Sequence, residues 1–258
     1  MARILLIETS TAQLSTALAE DGAVTVSRIC GEPRMQAALT APSVKEVLDE
    51  KGLTVKDLDA VCVGKGPGSY TGLRVGVSTA KGLCFGAGIP LLSAGTLDVL
   101  VSEAHRLGVV PEGCHAIVPM VDARRMEVYT AVFTPDGRQL TETKPVIVEA
   151  DSFAAELAQG PVLFIGDGAL KCREAIHSPN AFCAEAFPTA MARAPLAEAA
   201  YQEKRLEDVA YFEPFYLKDF VATVSRKKLF LSLLCRYFRM DAASVTDALG
   251  SMSPSTRK

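Results

Sequence analysis

The apolar positions change period along the chain, and that change predicts its elements. Arg3 to Thr9 is a short, nearly unbroken apolar run of strand length. Leu14 to Ala19 alternates apolar with small polar residues, Asp21-Gly22 has hairpin-turn chemistry, and Val24 to Ile29 completes a third strand. From 35 to 51 the spacing shifts to a helical one, with Leu39, Val44, Val47 and Leu48 on one stripe and Gly52 as the stop. Pro42 within it predicts a kink or a delayed start.

Ala60 to Val63 is again a buried-strand pattern. Gly64-Lys65-Gly66-Pro67-Gly68-Ser69-Tyr70-Thr71-Gly72 then marks a tight turn, and a helix rich in small residues runs on to Gly86. Leu91-Leu92 is the next strand, so the unit reads strand, turn, helix, strand and favours a parallel sheet. Thr96 caps a helix to about Arg106. Ala116 to Val121, Met126 to Phe133, Val146 to Val148 and Val162 to Ile165 read as strands. Asp151 to Ala158 and the Ala-rich Met191 to Arg205 read as helices, and Phe212 to Leu217 as an aromatic strand or extended segment.

The glycine-rich turn is a candidate phosphate cradle, because backbone N–H groups at a helix start attract anions. Its spacing fits neither common motif. Lys65 is followed by Gly66, not Ser or Thr, and neither Gly64 nor Gly66 has glycine at the sixth position. The turn therefore reads as backbone geometry. Within the helix, Gly72, Gly76 and Ala80 recur every four residues and share a face. Close packing on the chain's own sheet and contact with a second polypeptide both explain that stripe.

Composition narrows the class. The chain has 258 residues, 49% of them hydrophobic, which suits a substantial core. The net charge of −3 is unevenly spread. Residues 226 to 258 hold seven Lys/Arg against two Asp/Glu, leaving 20 basic and 28 acidic residues in the remainder. An acidic body is a poor RNA surface by itself. Seven scattered cysteines without a Cys-x-x-Cys pair suit a reducing cytoplasm. The run Ile4 to Ile7 is too short for a signal peptide or a membrane span.

Three histidines, His105, His115 and His177, form no local metal motif. Asp122-Ala123-Arg124-Arg125 is the strongest polar cluster outside the turn, read as an Asp–Arg corner between strands over a general base or metal ligand. Thr9-Ser10-Thr11 reads as turn chemistry with hydroxyl–backbone bonds. Gly166-Asp167-Gly168-Ala169 reads as a strand-to-helix turn. Arg226 to Arg239 reads as a basic amphipathic helix, able to meet RNA, membrane or a partner groove, and read first as docking on the body. From Ser251 the chain reads as disordered.

The ordered set of landmarks resembles one family. Gly66-Pro-Gly-Ser-Tyr-Thr-Gly-Leu-Arg-Val-Gly76 looks like the signature of the TsaB (YeaZ) family. Ile7 to Ser10, Gly95 to Leu97, Val121 to Arg124, Glu127 to Tyr129 and Glu213 to Lys218 agree, in order from about Ile4 to Thr223. The resemblance implies an α/β, two-lobed actin-like ATPase fold (the sugar kinase, heat-shock chaperone and actin group, ASKHA) with mixed sheets flanked by helices. The lobes would span 1–105 and 106–225, followed by a basic tail, 226–258. It implies a cytoplasmic, non-catalytic subunit that dimerises with TsaD and supports transfer of threonylcarbamoyl to the tRNA adenosine beside the anticodon. TsaE and TsaC would be functional partners, tRNA an indirect one through the complex, and a homodimer is available to the chain alone.

The partner surface would be the two helices of the first lobe, with Leu39, Val44 and Leu48 from one and Thr71, Gly72, Val75, Gly76, Thr79 and Leu83 from the other. TsaD carries a His-x-x-x-His metal pair in the corresponding region; Met35 to Leu48 has no histidine. No catalytic residue, metal or cofactor is therefore expected here, with ATP and metal on partner subunits. In the actin-like fold an acid and hydroxyls follow the first strand near phosphate, so Glu8, Thr9, Ser10, Gly166 and Gly168 mark a vestigial nucleotide site. The alternative is a free-standing actin-like ATPase or glycoprotease-like hydrolase. An RNA-binding module is a third reading, fitting the basic tail alone.

Overall fold

In the computed structural model, residues 2–32 and 34–217 are described. Lys218, Cys235 and the expected basic helix and tail from 226 lie outside the described residues. The elements follow in order as β1 (Arg3–Glu8), β2 (Leu14–Glu20), β3 (Ala23–Cys30), α1 (Gln36–Glu50), a 3-10 turn (Val55–Asp57), β4 (Ala60–Gly66), α2 (Tyr70–Ala87), β5 (Leu91–Gly95) and α3 (Thr96–Leu107). Then come β6 (Ala116–Asp122), β7 (Glu127–Thr130), β8 (Lys144–Ile147), α4 (Ala154–Leu157), β9 (Val162–Ile165), α5 (Ala169–Cys172), β10 (Ala181–Ala184) and α6 (Ala190–Gln202).

The strands form two five-stranded sheets, ordered β3-β2-β1-β4-β5 and β10-β9-β6-β7-β8. In the first, β1, β2 and β3 form an antiparallel meander, and β4 and β5 add in parallel on the other side of β1. The second repeats this plan: β6, β7 and β8 meander, and β9 and β10 add in parallel beside β6. Two mixed sheets of one topology, flanked by helices, make this the actin-like α/β fold.

Period-two alternation sends successive residues to opposite faces of each sheet. Leu5, Ile7, Val61 and Val63 face α1 and α2. Ile4, Leu6, Ala60 and Cys62 face the alanines of α6, which are small enough to bring that helix close. Leu97, Leu100, Val101 and Ala104 of α3 cover Ile117, Leu163 and Ile165 of the second sheet. Each fully buried leucine or isoleucine contributes about 1.5–3 kcal/mol. Helix α6 follows the strands of the second sheet yet covers the first, so a cut of the chain at 105/106 separates the strands but not this helix.

Several local expectations need correction. The N-cap of α3 is Gly95, and Thr96 is its first helical residue. Helix α1 starts at Gln36 and runs on through Pro42, so its start is not delayed to the proline. The expected helix 151–158 shortens to α4, while α5 and β10 carry too little periodicity to stand out. The segment 212–217 is irregular and forms no strand. Asp21 and Gly22 do form the left-handed hairpin turn, at φ 50° and 77°.

Candidate functional site

Strands β1 and β4 run parallel, with Ile7 opposite Val63, so Glu8 and Gly64 emerge at one end of the sheet. Glu8 is fully buried, and its carboxylate is spoken for. Oε1 accepts the Ser10 N–H at 2.6 Å, and Oε2 accepts from Nη2 of Arg193, itself at 0% exposure. Arg193 Nη1 donates to the Ile7 carbonyl. A Cβ at Gly64 would stand 3.0 Å from the guanidinium, so glycine leaves room for it.

The glycine-rich turn closes over this pair. Ser69 N–H donates to Ser10 O at 2.6 Å. A Cβ at Gly68 would fall closer than 3.0 Å to Ser10 O; at Gly72, to Thr9 O; at Gly76, to Thr9 Oγ1. Ser69 caps α2 by accepting the Gly72 N–H at 3.2 Å. Thr9, Ser10 and Thr11 are buried. The expected hydroxyl–backbone bonds do not form at Ser10 and Thr11, whose hydroxyls have no partner among the described residues. The Gly72–Gly76–Ala80 stripe therefore serves the chain's own sheet.

The corresponding end of the second sheet repeats the theme. Asp122 ends β6, accepts the Arg124 N–H at 2.7 Å and pairs with Lys171 of α5. The expected Asp–Arg hydrogen bond thus forms through the Arg124 backbone, and the cation at the corner is Lys171. Asp167 Oδ1 accepts the Asp122 N–H at 2.9 Å, and burial pushes the Asp167 carboxyl up from the ordinary range. A Cβ at Gly166 would collide with Met120 O, and one at Gly168 would lie 2.8 Å from Val128 Cγ1. Gly166 and Gly168 are glycines for packing. Glu8, Thr9 and Ser10 on one side and Gly166 and Gly168 on the other lie at the ends of different sheets. Among the described residues no group of three His, Cys, Asp or Glu is placed to hold a metal ion.

Helices α1 and α2 lie on one face of the first sheet, and the residues expected to meet a partner divide between two environments. Val44 and Leu48 are buried against the sheet, and Gly72 and Gly76 against Thr9. These four are corrected to internal packing. Leu39 is half-buried. Thr71, Val75, Thr79 and Leu83, spaced by four, form a flank that stays exposed or half-buried.

Next to that flank are residues that sequence reasoning passed over. Phe85 is 84% exposed, and among the described residues a Cβ at Gly82 or Gly86 would meet nothing within 4 Å. Both glycines border a hollow of about 420 Å³ between α2 and Val55 of the 3-10 turn. The available signal was the spacing Gly82–Gly86, which repeats that of Gly72–Gly76.

A strap from Asp208 to Leu217 runs along α2. Lys81 Nζ donates to the carbonyls of Ala210 and Phe212 at 3.1 and 3.0 Å, and Phe215 N–H donates to Lys65 O at 2.6 Å. Tyr216 lies against Tyr70, ring centroids 4.9 Å apart. Arg74 sits 5.2 Å above the Tyr70 ring and donates to its hydroxyl at 2.8 Å. Arg193, also passed over, carried a weak sign: it is the one basic residue of the alanine-rich α6, Ala190–Gln202.

At the β6–β7 tip, Arg124 and Arg125 hold φ of 75° and 54°. Left-handed backbone costs a residue with a side chain on the order of 1 kcal/mol. Among the described residues no helix is long and apolar enough to cross a membrane.

Known proteins resemble this chain in sequence and in fold. The family model described as TsaD, tRNA N6-adenosine threonylcarbamoyltransferase, matches residues 34–226. The tRNA threonylcarbamoyladenosine biosynthesis protein TsaB of Escherichia coli K12 is 30% identical over 231 residues, covering 85% of this chain and 96% of that protein. Its Haemophilus influenzae counterpart is 28% identical over 236 residues, covering 88% and 96%. The solved structure of YeaZ from Pseudomonas aeruginosa superposes with a TM-score of 0.72 at 27% identity, over 84% of this chain and all of that one. By these likenesses the chain belongs to the TsaB (YeaZ) family of tRNA threonylcarbamoyladenosine biosynthesis proteins.

Proposed function

We propose that this chain is a non-catalytic subunit of a tRNA threonylcarbamoyltransferase complex. It dimerises with TsaD through α1 and α2 and so supports transfer of the threonylcarbamoyl group to the tRNA adenosine beside the anticodon. One observation carries the reading. Gly82 and Gly86 lie on the exposed side of α2, where an added Cβ meets nothing within 4 Å among the described residues, beside an almost fully exposed phenylalanine. Each such glycine costs a helix about 1 kcal/mol against alanine. A second helix approaching closely gives that cost a purpose, and Thr71, Val75, Thr79 and Leu83 extend the contact.

The pairing of Glu8 with Arg193 supports the non-catalytic half. An acid that must reach a metal-bound phosphate would first have to break a buried ion pair, at about 3–5 kcal/mol. ATP and metal belong on the partner subunits in this reading. TsaE and TsaC act with the complex, tRNA is held largely by TsaD, and the setting is the cytoplasm. Alone, the same helices serve a homodimer.

Reconstitution of tRNA modification tests it. Activity should fall to background without this chain and return on its addition. Gly86→Leu should leave the chain folded, because the new side chain enters open space, yet fail to restore activity or to bind TsaD. Modification that proceeds unaided by this chain would sink the reading. Tight ATP–magnesium binding with turnover by the isolated chain would favour a free-standing ATPase instead.

A further inference from the structure

The tip of the β6–β7 hairpin is tightly tied. Ala123 N–H donates to Glu127 O at 3.1 Å, Glu127 N–H to Arg124 O at 3.2 Å, and Arg124 N–H to Asp122 Oδ1 at 2.7 Å. These bonds hold Arg124 and Arg125 consecutively in left-handed backbone. Glycine fits such positions without strain. This chain uses it so at Gly22, Gly52, Gly88, Gly108 and Gly137, and places Asp21, Arg34, Phe153 and Lys204 there singly; among the described residues, two consecutive non-glycines hold this backbone only at Arg124 and Arg125. Two arginines in sequence oppose the local preference, so the side chains answer to something other than the turn.

Nothing among the described residues supplies it. Both arginines are exposed. The neighbouring carboxylate, Asp122, is taken by Lys171. Among the described residues neither guanidinium forms an ion pair or a hydrogen bond. Outside 226–258 the chain holds 28 acidic against 20 basic residues, so attraction for a polyanion has to be local. Adjacent guanidinium forks on a rigid turn suit successive phosphates of a nucleic-acid backbone.

We propose that Arg124 and Arg125 form a tRNA-backbone contact of this chain, a direct hold on the nucleic acid separate from the α1–α2 face. The choice of RNA over an acidic protein rests on the reading that the chain works within a tRNA-modifying complex.

The test uses the reconstituted complex with TsaD and unmodified tRNA, comparing wild type, Arg124→Gly/Arg125→Gly and Arg124→Lys/Arg125→Lys. The glycine variant should weaken tRNA binding about tenfold. It should also lower the slope of log affinity against log salt by about 1.4 to 1.8, the share of two phosphates. Lysine should keep most of the affinity. The melting temperature of the isolated chain should hold or rise in the glycine variant, and its affinity for TsaD should not change. Equal tRNA affinity for wild type and the glycine variant, in complexes that form and modify tRNA, overturns this inference and leaves the proposed function standing. Loss of TsaD affinity with unchanged tRNA binding also overturns it and makes the hairpin a protein contact. If wild type forms no complex, the proposed function fails. Retention of tRNA by the isolated chain, lost on glycine substitution, would then still support the hairpin contact, and no retention would overturn it.

Discussion

Glu8 and Arg193 are 185 residues apart in the chain and meet as an ion pair with neither side chain exposed. The contact fastens α6 to the end of β1. It also leaves both Glu8 carboxylate oxygens taken, one by Arg193 and one by the Ser10 N–H. Arg193→Met strands a buried carboxylate and should cost about 3–5 kcal/mol. Glu8→Leu combined with Arg193→Met removes both charges and should cost less than Arg193→Met alone. Urea unfolding midpoints at constant m-value measure both.

Two glycines of α2 should respond to the same substitution with opposite signs. Gly76→Ala drives a methyl into Thr9 Oγ1 and should destabilise by about 1–3 kcal/mol. Gly82→Ala meets open space and should stabilise the isolated chain by about 1 kcal/mol. The second variant should nevertheless bind TsaD more weakly than wild type. Thermal melts paired with titration calorimetry check both halves.

Asp167 carries a pH signature. Burial, the largest influence on it, lifts its carboxyl above the ordinary 3.8, so the folded state holds its proton more tightly than the unfolded chain. The stability this group supports is full below pH 3.8 and is lost as pH rises through the lifted value. Asp167→Asn keeps an oxygen for the Asp122 N–H and removes the titration. Its melting temperature relative to wild type should therefore climb from acid to neutral pH. A difference that is flat or falls with pH would contradict this.

The thiols should divide by environment. Burial pushes Cys62 up to about 12 and Cys84 and Cys172 up to about 11, so almost no thiolate forms at pH 8. These three should resist a disulfide reagent until urea unfolds the chain. The half-buried Cys30, Cys114 and Cys183 should react faster than these in the folded state, with burial raising Cys114 and Cys183 and so slowing them. Mass spectrometry of timed labelling assigns the sites.

Much of this was legible because it is local. The period-two runs around Leu5 and Val61, the Asp21-Gly22 turn, the Leu39–Leu48 stripe and the Gly66–Gly76 signature each report on neighbours within a few residues. Together they are enough for ten-residue elements and for the family. The short α5 and β10 were not legible, because four residues carry too little periodicity to separate from loop.

The order of the longer strands and helices, the glycine-rich turn and the acid at the end of β1 were thus properties of the sequence by itself. Tertiary structure alone decided which glycines face inward and which outward. Gly72 and Gly82 look alike in sequence and differ only in what lies opposite: Thr9 O for one, open space for the other. It also decided that Glu8 is paired, because its counter-charge comes from a helix that follows the second sheet in the chain yet packs on the first. Pairings that span the whole chain leave no periodic trace in either partner's neighbourhood, and only the packed fold brings them together.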